Sequence, residues 1–103
     1  TMVRLRSAEL RRSPDDATAL NERGWALAKL GRPDLALIDA ERALTIRARD
    51  AHMLDTRGYA LLKLGRIKEA IADFKAALDI KPGRTAFLEH LAEAEAALRA
   101  AKR

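Results

Sequence analysis

Arg23-Gly24-Trp25-Ala26-Leu27-Ala28-Lys29-Leu30-Gly31-Arg32 returns 34 residues later as Arg57-Gly58-Tyr59-Ala60-Leu61-Leu62-Lys63-Leu64-Gly65-Arg66. The match extends outward without a gap. Ala17 and Leu20 fall on Ala51 and Leu54 before it; Ala36, Asp39, Ala43-Leu44 and Ile46 fall on Ala70, Asp73, Ala77-Leu78 and Ile80 after it. Fifteen of the 34 pairs between Ala17–Asp50 and Ala51–Arg84 are identical. A fixed period of this length marks an array in which each unit is one supersecondary element and buries its apolar face only by stacking on the next.

Each unit reads as two helices. The first runs from about Ala17 to Leu30, with Asp15 and Asp16 as capping candidates after Pro14. Gly31 supplies a left-handed stop, and Pro33 suits the first turn of the next helix, which runs to about Arg47. In the second unit Asp50 is the cap, the first helix ends near Leu64, and Gly65 is the stop. The second helix runs from about Ile67 to Ile80 and closes at Pro82-Gly83. Only a few residues separate neighbouring helices, so they must be antiparallel.

In the second unit Leu54, Gly58, Leu61, Ala70, Phe74, Ala77 and Pro82 stand where the tetratricopeptide repeat family carries its signature, and the chain closely resembles that family. The resemblance implies an all-α, right-handed superhelical solenoid of antiparallel helix pairs. Gly24 and Gly58 are expected to face Ala36 and Ala70, where small residues let two helices approach closely. The first unit departs from the pattern, with Ala40 in place of the large residue at Phe74 and Ala48 in place of Pro82. The ends extend the array. Glu9 to Pro14 aligns with Ala77 to Pro82, so residues 1–14 read as a half repeat, its helix spanning Val3 to Arg12. Residues 85–103 read as a capping helix with Phe87, Leu88, Leu91, Ala94, Ala97 and Leu98 on one broad face. The expected domain is single: half repeat 1–14, repeats 17–50 and 51–84, cap 85–103, about six helices.

The 103 residues suffice for one domain. Cysteine is absent and His52 and His90 are the only histidines, which excludes disulfides, thiol chemistry and cysteine- or histidine-rich metal sites. The sequence carries no phosphate-binding loop, zinc-protease motif or nucleophile elbow. No enzyme, metal or cofactor is expected. His90 and Glu93 lie one turn apart; they read as an exposed pair on a solvated face rather than a metal or proton site. No apolar run is long enough to span a membrane, and the basic N-terminal stretch lacks the apolar centre of a secretory signal. A cytoplasmic protein is expected.

The resemblance places the first helices of successive repeats on a concave face. The expected peptide-binding residues are Asn21, Trp25 and Lys29 on the first of these helices and Asp55, Tyr59 and Lys63 on the next. Trp25 and Tyr59 are one repeat apart and so should stand side by side, with Lys29 and Lys63 one turn further on. Adjacent aromatics flanked by ammonium groups suit a protein or peptide ligand with acidic and apolar side chains. The competing reading makes Trp25 and Tyr59 packing residues. Some family members clamp the acidic C-terminal tails of heat-shock chaperones. That clamp needs lysine at Asn21, asparagine at Trp25 and Thr56, and further basic residues at Ala86 and His90, and none is present.

Arg23 and Arg57 stand where the family usually buries leucine, with Asp39 and Asp73 at the same offset. An ion pair within each repeat is expected; contact with an acidic ligand is the alternative. The formal charge of +5 favours an acidic partner. The expected function is a protein-interaction module, a fragment or domain of a larger protein; a nucleic-acid-binding surface is the rival, resting on Arg4, Arg6, Arg11, Arg12, Arg47, Arg49, Arg84, Lys102 and Arg103. It lacks the interleaved aromatics of a single-strand binder. The N-terminal half repeat leaves an apolar flank open to self-association.

Overall fold

The computed structural model describes residues 1–102. Six helices follow one another: α1 (Met2–Arg12), α2 (Ala17–Lys29), α3 (Pro33–Ile46), α4 (Ala51–Lys63), α5 (Ile67–Ile80) and α6 (Thr85–Ala101). Helix is the only regular secondary structure among the described residues, and Arg103, the expected end of the cap, lies outside them. The boundaries have local causes. Asp16, not Asp15, caps α2 by accepting from the Ala19 N–H at 3.0 Å, and Asp50 caps α4 by accepting from the Met53 N–H at 3.1 Å. Gly31 and Gly65 take φ of 82° and 81°, left-handed values that a side chain resists. Beyond them the Arg32 and Arg66 N–H groups reach back to the Leu27 and Leu61 carbonyls, each at 2.9 Å, which satisfies carbonyls left open by the helix end.

The helices pack in antiparallel neighbours, α2 on α3 and α4 on α5, with α1 against α2, α3 against α4 and α5 against α6. The first helices α2, α4 and α6 also touch in series, and the array is elongated, 46 × 27 × 20 Å. Its core falls into two clusters. One gathers Leu10, Leu20, Leu44, Met53, Leu54 and Phe87; the other gathers Ala36, Tyr59, Leu61, Ala70, Phe74 and Ala94. Ala36, Ala40, Ala43, Ala70 and Ala77 are fully buried, so small side chains set the helix spacing.

The two glycines expected at helix crossings are there, with one correction. A Cβ on Gly24 would sit 3.3 Å from the Ala36 carbonyl oxygen, as expected. At Gly58 the nearest atoms belong to the Phe74 ring, 2.6 Å from such a Cβ, rather than to Ala70. The ring occupies the space a side chain would need.

Both ion pairs are present. Arg23 donates from Nε and Nη2 to the two carboxylate oxygens of Asp39, each at 2.7 Å. Arg57 does the same to Asp73, at 2.7 and 2.8 Å. The aspartates are buried and the arginines partly so. The hydrogen bonds to aspartate hold both guanidinium groups above the usual arginine pKa, against the opposing effect of burial. Such forked pairs fix the angle between paired helices as well as binding them.

Candidate peptide-binding groove

Residues four apart on α2 and α4 point the same way, and stacking one repeat on the next sets them in rows. The Trp25 and Tyr59 rings lie 4.9 Å apart between centroids, tilted by 43°. The Lys29 ammonium sits 5.3 Å from the Trp25 ring and 5.2 Å from the Tyr59 ring, and the Lys63 ammonium 5.0 Å from Tyr59. These are cation–π distances, and they hold both lysines over the aromatic pair. Lys63 also lies 3.7 Å from Glu93 on α6. Among the described residues Lys29 has no carboxylate at ion-pair distance.

His90 on α6 completes an aromatic cluster, 5.6 Å from Trp25, 5.4 Å from Tyr59 and 5.6 Å from Phe74. Its Nδ1 lies 2.8 Å from an Asp55 carboxylate oxygen. The sequence reading of His90 as an exposed partner of Glu93 is therefore corrected. The curve of the array brings α6 over α4, and the imidazole binds a buried carboxylate there. The expected ligand set divides in the same way. Asp55 and Tyr59 are buried, Tyr59 at 7 % exposure. They support the groove from beneath, while Trp25 and Asn21 are partly exposed at its wall.

Beside the aromatic cluster lies an open cavity of about 320 Å³, which Asn21, Trp25, Asp55 and His90 line from the first helices. The rest of the wall, outside the expected set, includes Met2, Ala26, Arg84 and Phe87. Met2 comes from α1 and Arg84 caps α6, so nothing in the repeat pattern pointed to either. The Asn21 side-chain oxygen is buried without a hydrogen-bond partner in this wall. Here the cavity offers an acceptor and a mainly apolar wall, with Arg84 set against Glu22 and Asp55. No cluster of three or more metal-ligating side chains occurs among the described residues.

Two family models of the tetratricopeptide repeat match, one over residues 4–52 and one over residues 51–84. The chain belongs to the tetratricopeptide repeat family. Solved structures agree on the fold. The first tetratricopeptide domain of human RPAP3 superposes with a TM-score of 0.88 at 19% identity, covering 95% of this chain and 77% of that one. The tetratricopeptide domain of Arabidopsis OM64 gives 0.83 at 26% identity, over 89% and 76%. The second human RPAP3 domain, in complex with the HSP70 peptide SGPTIEEVD, gives 0.81 at 22% identity, over 90% and 78%. No curated protein matches the chain in sequence.

Proposed function

We propose that this tetratricopeptide domain is a protein-interaction module and that it takes an extended peptide, with acidic and apolar side chains, in the groove of α2, α4 and α6. One observation carries the reading. Lys29 stands over Trp25 and Tyr59 with no carboxylate at ion-pair distance among the described residues, and Trp25 also lines a mainly apolar cavity. A free ammonium held by aromatic faces suits an acidic side chain, and the cavity suits an apolar neighbour of it. The unpartnered Asn21 oxygen accepts a backbone N–H of the same peptide. That a solved neighbour binds an HSP70 peptide supports a peptide ligand over nucleic acid. The chaperone-tail clamp itself is not carried over, because Asn21, Trp25, Thr56, Ala86 and His90 replace its residues. The domain is proposed to act as a scaffold without catalysis, in the cytoplasm; no described helix is long and apolar enough to cross a membrane.

A peptide array probed with the chain tests this. Selected peptides should pair an acidic with an apolar residue. Trp25→Ala should weaken their binding tenfold or more with helicity retained, since an aromatic anchor commonly contributes ~2 kcal/mol or more. Lys29→Ala should cost less and be salt-sensitive. Unchanged affinity in Trp25→Ala, or peptides without acidic residues, would sink the proposal.

A second reading, self-association through the N-terminal half repeat, is favoured by Met2 and Leu5, which lie exposed on α1.

A further inference from the structure

Lys29 and Lys63 stand at the C-terminal ends of α2 and α4. A different cation stands at the other end of the row. Arg84 precedes α6 at the position that the capping aspartates Asp16 and Asp50 hold before α2 and α4. The period there exchanges a carboxylate for a guanidinium, and Arg84 enters the cavity wall. We propose that Arg84 reads a second acidic residue of the bound peptide, so that the groove selects an apolar side chain with an acid about two residues away on either side. This rests on the peptide-binding reading and deepens it, by naming the spacing of the ligand's residues and the side chain that reads the second acid.

The charges of the wall leave Arg84 unanswered. Its Asp and Glu residues are Glu22 and Asp55. Glu22 is paired with Arg6, and Asp55 lies 2.8 Å from the His90 Nδ1. Among the described residues Arg84 has no carboxylate at ion-pair distance, the same condition as Lys29. Two further cations reach this end of the row. Arg47 lies 3.4 Å from the Thr18 hydroxyl of α2, and Lys81 lies 3.3 Å from the His52 Nε2 of α4. Asp16 and Asp50 stand nearby, but each is engaged by the backbone N–H that it caps. Cations at the edge of a mainly apolar cavity attract an acid and steer its approach.

The spacing follows from helix and strand geometry. α2, α4 and α6 run parallel, because one antiparallel helix separates each from the next. α2 has 13 residues, so its ends lie about 20 Å apart. Lys29 folds back over Trp25, about one turn in, which leaves ~14 Å between its ammonium and the Arg84 end. In an extended peptide residues i, i+2 and i+4 point to the same side, and i to i+4 spans ~13 Å. An acid, an apolar residue and an acid at those places meet Lys29, the cavity and Arg84 in turn. The residues between them face solvent. A peptide with its two acids side by side would leave one of the cations unmet.

Trp25 is the only tryptophan and lines the cavity, so its fluorescence reports occupancy without a label. The test titrates the whole chain with Ser-Glu-Ser-Leu-Ser-Glu-Ser, blocked at both termini, and with the two peptides in which one Glu is replaced by Gln. The doubly acidic peptide should bind about threefold more tightly than either singly acidic one, the size expected of exposed charge pairs, and the advantage should shrink with salt. In Arg84→Gln one of the two glutamates should lose its advantage while the other keeps it. In Lys29→Gln the loss should fall on the other glutamate. Which glutamate answers to Arg84 gives the direction of the peptide. Lys75→Gln removes an exposed charge that lies outside the cavity wall, and it should leave all three affinities unchanged. A second glutamate that adds nothing, or whose advantage survives Arg84→Gln, would overturn the role of Arg84 and leave the groove as a peptide site. Failure of all three peptides to bind at up to about 1 mM would overturn the acidic and apolar ligand itself, and this inference with it.

Discussion

The two complete repeats share fifteen residues and one fold, yet they fill the same helix crossing with different groups. In the second repeat the Phe74 ring lies over Gly58, where a Cβ would meet three ring atoms between 2.6 and 3.1 Å. In the first repeat Ala40 replaces that ring, and the closest atoms to a Cβ on Gly24 are the Ala36 carbonyl oxygen and the Asp39 Cβ, each at 3.3 Å. One glycine makes room for an aromatic ring, the other for a carbonyl oxygen and the Asp39 and Thr56 side chains. Identical residues at identical spacing therefore do different physical work, and the difference is decided by what stands opposite.

That contrast makes the second repeat the more sensitive. Phe74→Ala removes the largest fully buried side chain of the second core cluster and should cost ~3–5 kcal/mol in urea-induced unfolding. A loss below ~1 kcal/mol would mean the ring is not the keystone of its repeat.

The glycines come next. Gly58→Ala should destabilise by ~1–3 kcal/mol, because the Cβ would come within 2.6 Å of the fully buried Phe74 ring, which must shift. Gly24→Ala should be much milder. A shift of a few tenths of an ångström relieves its contacts, and alanine regains ~1 kcal/mol of helix propensity. Equal thermal shifts for the two variants would erase the distinction between the repeats.

The smallest effect should be a difference that does not exist. Arg23–Asp39 and Arg57–Asp73 have the same forked geometry, so double-mutant cycles should give similar couplings, each of about 0.5–3 kcal/mol. Additive effects in either repeat would show that the pair contributes geometry and no energy.

The aspartates of these pairs were legible from the repeat, because a polar residue that recurs with its partner at a fixed offset has few other reasons to do so. The helix ends were legible within a residue or two, since Asp16, Asp50, Gly31 and Gly65 act locally. The groove was legible in outline. Trp25 beside Tyr59 and Lys29 beside Lys63 follow from stacking like on like. The His90–Asp55 contact was not legible. It joins two repeats at an offset of 35 residues, and no internal copy carries it, since the corresponding residues are Asn21 and Thr56. Whether Tyr59 packs or faces a ligand stayed open in the sequence, because the 3.6-residue period assigns a residue to a face and says nothing of what crosses that face.

What the sequence determined by itself is the one-dimensional part of this protein: the period, the six helices, the small residues that let them approach, and the ion pair within each repeat. These depend on neighbours within one helix or one hairpin, and their spacing is written in the chain. The tertiary structure alone decided what happens between hairpins. It set the imidazole of α6 over the carboxylate of α4, placed Met2 of α1 in the cavity wall, laid Phe74 rather than Ala70 on Gly58, and left Leu5 and Leu88 open at opposite ends. Those outcomes depend on the rotation and translation that carry one hairpin onto the next. That operation is the sum of many packing contacts, and no single residue spacing records it.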